Sequence, residues 1–213
     1  MRLLIVPVVL ATMLACVEDV GKDKVKATVE DVPAAAAKKA PEPPAGKSVT
    51  SYKVDASKSA IRALGAKITA THPVDFKAFQ GKVGLTDDKV SAVSFEVTMK
   101  DLESDHPKLT SHLLNADFFD VEKHPTSQFV SREIKQGAAE EGFTHTVTGE
   151  MTIMGTTKLI TFPAKIEVGA AEVKANTEFV INRQDFGISY PGRPDDLIQD
   201  NVRMTISLVA PRS

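Results

Sequence analysis

The feature that most constrains this chain is a period-two alternation of apolar and polar side chains that recurs from Tyr52 to the C-terminus. Val93, Phe95, Val97 and Met99 alternate with Ser94, Glu96 and Thr98, and Val147, Gly149, Met151 and Ile153 alternate with Thr148, Glu150 and Thr152. Ile160, Phe162, Ala164, Ile166 and Val168 repeat the pattern, as do Phe179 with Ile181 and Val202, Met204, Ile206 and Leu208. Successive side chains of an extended chain point to opposite faces, so each run predicts a strand with one apolar and one polar face. Turn signals at Asp87-Asp88, Gln136-Gly137, Gly155, Gly169 and Pro191-Gly192 separate the runs. Between Glu103 and His124 the spacing of Leu109, His112, Leu113 and Leu114 predicts a helical crossover near residues 103–117. Strands with one apolar face must stack as a sandwich or close on themselves. Closure removes exposed edges, and a barrel of about eight strands has room for one small ligand. The expected fold class is therefore all-β, an antiparallel β-barrel of about eight strands with one helical crossover.

The first residues have a different logic. Met1-Arg2, an apolar run from Leu3 to Leu14 and then Ala15-Cys16 follow the positive, apolar, small-residue order of a secretory signal. The run falls short of the roughly 20 apolar residues that a membrane-crossing helix needs, and Glu18 and Asp19 follow at once. Cys16 is the sole cysteine, so no intramolecular disulfide forms. Met13-Leu14-Ala15-Cys16 resembles the lipobox of bacterial lipoproteins, which implies cleavage before Cys16 and its acylation; the plainer alternative is that Cys16 is one more small residue of the signal. Acyl chains would tether the protein to a membrane surface without inserting protein into it. Residues 17–47 hold six basic and six acidic side chains among Ala, Val and Pro, with no aromatic residue. Such a stretch offers little apolar surface to offset its chain entropy and reads as a disordered Pro/Ala/Lys-rich linker. The expected organisation is thus a signal over 1–16, a linker over 17–47 and a barrel domain over 48–213. The expected location is the periplasm, with a lipid anchor in the outer membrane by default.

Composition narrows the function classes. Lys and Arg number 26 against 28 Asp and Glu, which leaves no basic footprint for a nucleic acid. No nucleophile elbow, His-Glu-x-x-His helix, phosphate-cradling glycine loop or dinucleotide fingerprint occurs, so no catalytic residue is assigned. Among His72, His106, His112, His124 and His145, the six-residue step from His106 to His112 misses the spacing that aligns ligands on one helix face. Asp101, Glu103 and Asp105 lack the glycine and distal glutamate of a calcium loop. Neither metal nor cofactor is expected.

Several segments, taken together and in order, are similar to the YceI-like family. They are Tyr52-Lys53-Val54-Asp55 with Ser59; Lys67-Ile68-Thr69 with His72, Phe76, Phe79 and Gly81; and the run from Ser111 to Pro125. Phe129, the run from Val147 to Lys158, Asn182-Arg183-Gln184-Asp185-Phe186-Gly187-Ile188 and the run from Asp196 to Val202 complete the resemblance. Tyr52 stands where the family commonly has tryptophan, and Met154 where it more often has arginine. The resemblance implies a lipocalin-like periplasmic barrel that binds polyisoprenoids or related lipids.

On that footing the expected ligand is a polyisoprenoid, an isoprenoid quinone or a fatty acyl lipid held in the barrel. Expected lining residues are Phe95, Val97, Leu113, Phe118, Phe129, Met151, Ile153, Phe162, Phe179, Ile181 and Phe186, each of which equally suits a filled core. Phe118 and Phe119 cannot both face inward if the chain there is extended. Arg183 and Asp185 either pair with each other or meet a ligand head group. Expected partners are the lipid ligand, a membrane surface reached through acylated Cys16, and a second copy in a homodimer. The competing readings are a structural or interaction protein of the envelope with a solid barrel interior and, behind it, a lipid-modifying enzyme.

Overall fold

In the computed structural model, which describes residues 17–33 and 48–212, the alternating runs form strands hydrogen-bonded into one curled antiparallel sheet. In chain order these are β1 (Thr28–Asp31), β2 (Thr50–Lys53), β3 (Ala60–Ala66), β4 (Thr71–Phe76), β5 (Phe79–Thr86), β6 (Lys89–Thr98) and β7 (Leu102–Ser104). Helix α1 (Pro107–Leu114) intervenes before β8 (Thr126–Gln136), β9 (His145–Ile153), β10 (Thr156–Val168), β11 (Glu172–Asn182), β12 (Gly192–Arg193), β13 (Asp196–Leu197) and β14 (Asn201–Pro211). The main path runs β2-β5-β6-β8-β9-β10-β11-β14-β3-β4-β7; β1 attaches to β10, and β12 pairs with β13. Eight strands of this path, β3, β5, β6, β8, β9, β10, β11 and β14, are seven residues or longer. The architecture is all-β and barrel-like, with a helical crossover at α1.

Local chemistry bends the sheet around. Asp87 and Asp88, with φ of 51° and 58°, join β5 to β6, and Met154 and Gly155, at 50° and 73°, join β9 to β10. Two consecutive left-handed residues make the tight hairpin turn whose twist matches that of the flanking strands. After β2, the Val54 amide donates to Gly81 O of β5 at 2.9 Å and the Asp55 amide to Val209 O of β14 at 2.8 Å, which ties the first strand of the path back to the far wall. α1 begins at His106, whose Nδ1 accepts from the Lys108 amide at 3.2 Å, with Pro107 in the first turn where its missing N–H costs nothing. Its buried residue is Leu113.

A run of aromatic rings fills the middle of the barrel. Phe95 of β6 stacks on Phe129 of β8 at 5.5 Å, Phe129 meets Phe162 of β10 at 5.5 Å, and Phe162 stacks on Phe179 of β11 at 4.3 Å. Inward-facing Gly149 on β9 makes room for this, since a Cβ there would stand 2.6 Å from Phe129 Cε2.

The expectation of a linker over residues 17–47 is corrected for its first part. β10 runs unbroken along β9 from Thr156 to Ala164, but its ladder with β11 covers only Lys165–Val168, just past Pro163, which has no amide hydrogen to donate. Beyond that point the two strands part, and β1 takes the free edge of β10, with Thr28 to Asp31 opposite Thr161 to Lys158. Just upstream, the Ala27 amide donates to Val180 O of β11 at 2.9 Å and the Val180 amide to Val25 O at 2.8 Å. An uncovered strand edge is a row of unsatisfied backbone groups, and this polar-looking segment satisfies it. Residues 34–47, like the signal over residues 1–16, lie outside the described residues.

Candidate functional site

Among the described residues, two small apolar cavities lie on either side of the aromatic run. The first, about 40 Å³, lies toward the end where β6 and β9 finish and β14 begins, among Ile61, Phe76, Val97, Met99, Phe119 and Met204 with Phe95, Met151 and Ile153. The second, about 30 Å³, lies toward the opposite end, beside Val93, Phe129, Val147, Phe162, Ile166 and Leu208. Phe95 lines both and separates them.

The residues expected to line a ligand divide accordingly. Phe95, Val97, Met151 and Ile153 face the first cavity, and Phe95, Phe129 and Phe162 face the second. Leu113, Phe118, Phe179, Ile181 and Phe186 are buried in the apolar core and border neither cavity. Phe118 and Phe119 sit in a turn, where the alternation rule of extended chain lapses. Phe118 packs on His112 at 4.9 Å and Tyr190 at 5.4 Å, while Phe119 meets Phe76 edge-on at 6.4 Å over the first cavity.

Sequence reasoning missed Phe76, Phe119 and Ser127 as members of this cavity. Ser127 Oγ is buried with no hydrogen-bond partner among the described residues, which makes it a hydroxyl free to donate to an oxygen entering an otherwise apolar space. Its signal was weak because a serine at the start of β8 reads as part of a polar face.

Arg183 and Asp185 do not pair. Arg183 is 5% exposed and its guanidinium is used by the fold: it donates to Ile188 O at 2.7 Å, to Gln199 O at 3.1 Å and to Asp200 Oδ1 at 3.0 Å. Those acceptors hold the turn after β11 against the start of β14. At the helix, His112 Nε2 and Asp117 Oδ2 stand 2.9 Å apart, and the imidazole meets Tyr190 edge-on at 5.1 Å. The pair ties α1 to its own following turn, and the Tyr190 contact joins the helix to the segment after β11. No group of three or more potential metal ligands occurs among the described residues.

The rim of the same end is built from the β3–β4 turn and the β12–β13 hairpin. The Ile68 amide donates to Leu197 O at 3.1 Å, and Lys67 Nζ reaches Asp196 Oδ2 at 2.5 Å. The Lys67 ammonium, together with hydrogen bonds from Thr69, holds the Asp196 carboxyl below its ordinary pKa. The Val17 amide donates to Ile68 O at 3.0 Å, so the N-terminal segment enters the described structure at this rim. Among the described residues no helix is long and apolar enough to cross a membrane.

Comparison with known proteins agrees with this architecture. The chain is 35% identical over 125 residues to UPF0312 proteins of Pseudomonas putida, an alignment covering 55% of this chain and 64% of theirs. A UPF0312 protein of Pseudomonas fluorescens is 33% identical over 110 residues, 49% of this chain and 56% of its own length. The chain thus spans less than two thirds of the length of the curated relatives it matches. Among solved structures, Burkholderia cenocepacia BcnA superposes with a TM-score of 0.64 at 23% identity, covering 74% of this chain and 99% of that one. A polyisoprenoid binding domain from Saccharophagus degradans superposes with a TM-score of 0.61 at 11% identity, covering 75% and 97%. Both share the fold. The model of the YceI-like domain matches residues 52–210, from within β2 to within β14, and by that match the chain belongs to the YceI-like family.

Proposed function

We propose that this protein binds a long apolar ligand, a polyisoprenoid, an isoprenoid quinone or a fatty acyl lipid, inside its barrel, and that it carries or sequesters that ligand in the bacterial cell envelope. The observation that carries the reading is the first cavity: a space walled by aliphatic, aromatic and methionine side chains, Phe119 among them, with the unpartnered hydroxyl of Ser127. The Saccharophagus neighbour, a polyisoprenoid binding domain of the same fold, supports it. Apolar transfer is worth about 25 cal/mol per Å², so a chain that buries several hundred Å² gains on the order of 10 kcal/mol before ordering costs. The two cavities as they stand are far smaller than the roughly 300–1,000 Å³ of ordinary ligand sites. A long ligand therefore requires Phe95 to swing out of the partition, joining the space on its two sides.

We further propose export by the N-terminal signal and anchoring through acylated Cys16, which the lipobox-like Met13-Leu14-Ala15-Cys16 supports. A second reading, a structural envelope protein with a solid interior, is favoured by the aromatic run from Phe95 to Phe179, which occupies the barrel centre.

The test is native mass spectrometry of the full chain purified from a bacterial host, followed by extraction of bound lipid and titration with farnesol and palmitate. The full chain is needed because β1 is part of the barrel wall. A stoichiometric isoprenoid or acyl species is the expected result. A ligand-free mass that takes up neither probe would establish the solid-interior reading instead.

A further inference from the structure

We propose that the rim carrying Ile68 and Leu197 is the face this protein lays on a lipid bilayer, so that the helix-capped end and its cavity are turned toward the membrane. The proposal rests on the reading of Cys16 as acylated, and it adds to that reading an orientation.

Three large apolar side chains are exposed among the described residues: Ile68 at 39%, Leu197 at 46% and Val168 at 37%. Two of them are neighbours, joined by the hydrogen bond from the Ile68 amide to Leu197 O. Val168 closes β10, at the opposite end of the barrel. The N-terminal segment arrives at the pair and not at Val168. The Val17 amide binds Ile68 O at 3.0 Å, the Val20 amide binds Gln199 Oε1 at 3.1 Å, and Asn201 Nδ2 donates to Asp19 Oδ2 at 2.7 Å. A group attached one residue before Val17 is one peptide unit from this point, about 3.8 Å between α-carbons. Because the segment continues into β1, a strand of the wall, it contributes no slack to a tether. Acyl chains attached there bring the Ile68 and Leu197 side chains to the lipid surface with them.

Charge identifies the kind of surface. Lys67 is already engaged by Asp196 at 2.5 Å and Lys22 by Glu18 at 2.8 Å, and the remaining charges beside them in sequence, Asp19, Asp195 and Arg193, include a single cation. A rim whose cations are largely paired within the protein offers no polybasic cluster to anionic lipid. The contact is apolar, made with a zwitterionic bilayer, and insensitive to salt.

The end so placed is the one that bears the first cavity. Val97 near the end of β6, Ile153 at the end of β9 and Met204 near the start of β14 all line it, under Phe119 and α1. A ligand that leaves the bilayer for this cavity crosses the rim without crossing water.

The experiment uses the full chain, acylated in a bacterial host and reconstituted on phosphatidylcholine vesicles that contain nitroxide-labelled lipid. With Cys16 blocked by its acyl chain, Leu197→Cys or Val168→Cys supplies the only free thiol, and each takes an environment-sensitive fluorophore. The label at position 197 is expected to be quenched several-fold more than that at 168, equally at low and high salt. Equal or reversed quenching overturns the orientation while leaving the anchor intact. An intact mass without acyl chains overturns the anchoring reading, and this proposal with it.

Discussion

Nη2 of Arg183 donates to Asp200 Oδ1 at 3.0 Å, and the two residues, seventeen positions apart, fasten the turn after β11 to the residue before β14. Asp200 is 46% exposed at its side chain while the guanidinium is buried, so the bond has a wet end and a dry end. The dry end matters more, because the carbonyls of Ile188 and Gln199 depend on the same cation. Replacing Arg183 by Met leaves buried acceptors unpaired and is expected to cost about 3 kcal/mol. Asp200→Asn removes a partly solvated partner and is expected to cost less than about 1 kcal/mol. Asp185→Ala, which lies outside this network, stays within about 0.5 kcal/mol of the parent. Urea unfolding of the three variants reads the order directly.

Gly149 and Phe129 form a coupled pair. A methyl group at Gly149 meets the Phe129 ring and comes within 2.6 Å of Val130 O, so the clash involves backbone as well as side chain. Gly149→Ala is expected to destabilise by about 1–3 kcal/mol through overpacking. Adding Phe129→Leu to that background recovers part of the loss, and a double-mutant cycle measures the recovery.

The N-terminal segment contributes to the fold. Val20 is buried, and Val180, which faces outward from β11, is only 1% exposed beneath the same segment. Val20→Ser is expected to cost about 1–2 kcal/mol of buried apolar transfer. Amides of β11 near Val180 should then exchange faster with deuterium, whereas an unattached linker would leave both stability and exchange unchanged.

Phe95→Ala separates stability from uptake. Truncating the ring that divides the two cavities is expected to cost about 3–5 kcal/mol. It also joins the two spaces, so farnesol uptake in native mass spectrometry rises where a purely structural defect would lower it.

The rim has an acid-sensitive link. The Asp196 carboxyl titrates below its ordinary value in the folded protein, chiefly through the hydrogen bond from Lys67. Its stabilising contribution is present above the unfolded-state pKa and is lost as the pH falls through the lower folded value. In Lys67→Met the Asp196 carboxyl is expected to titrate higher, followed by its carbon resonance, and the acid limb of the stability curve flattens.

Much of the barrel was legible because alternation is a local signal. The runs at Val93–Met99, Val147–Ile153, Ile160–Val168 and Val202–Leu208 announce β6, β9, β10 and β14, since a residue's face follows from its parity alone. The crossover was legible in the spacing of Leu109, Leu113 and Leu114, which α1 contains. The short strands were not. Thr50–Lys53 and Leu102–Ser104 are too brief for any period to show, and they exist because longer neighbours offer them edges.

By itself, then, the sequence determined an all-β domain, which faces of its longer strands are apolar, and where its helix lies, because these depend on residues a few positions apart. Tertiary structure decided what depends on residues far apart. Thr28–Asp31 becomes a wall strand because the ladder between β10 and β11 stops at Lys165 and leaves the edge of β10 beyond it open. Arg183 takes Asp200 over the nearer Asp185 because the turn after β11 carries the guanidinium to the start of β14. How much space remains inside is set by ring positions across four strands, Phe95, Phe129, Phe162 and Phe179, and side-chain packing between distant segments has no period to read.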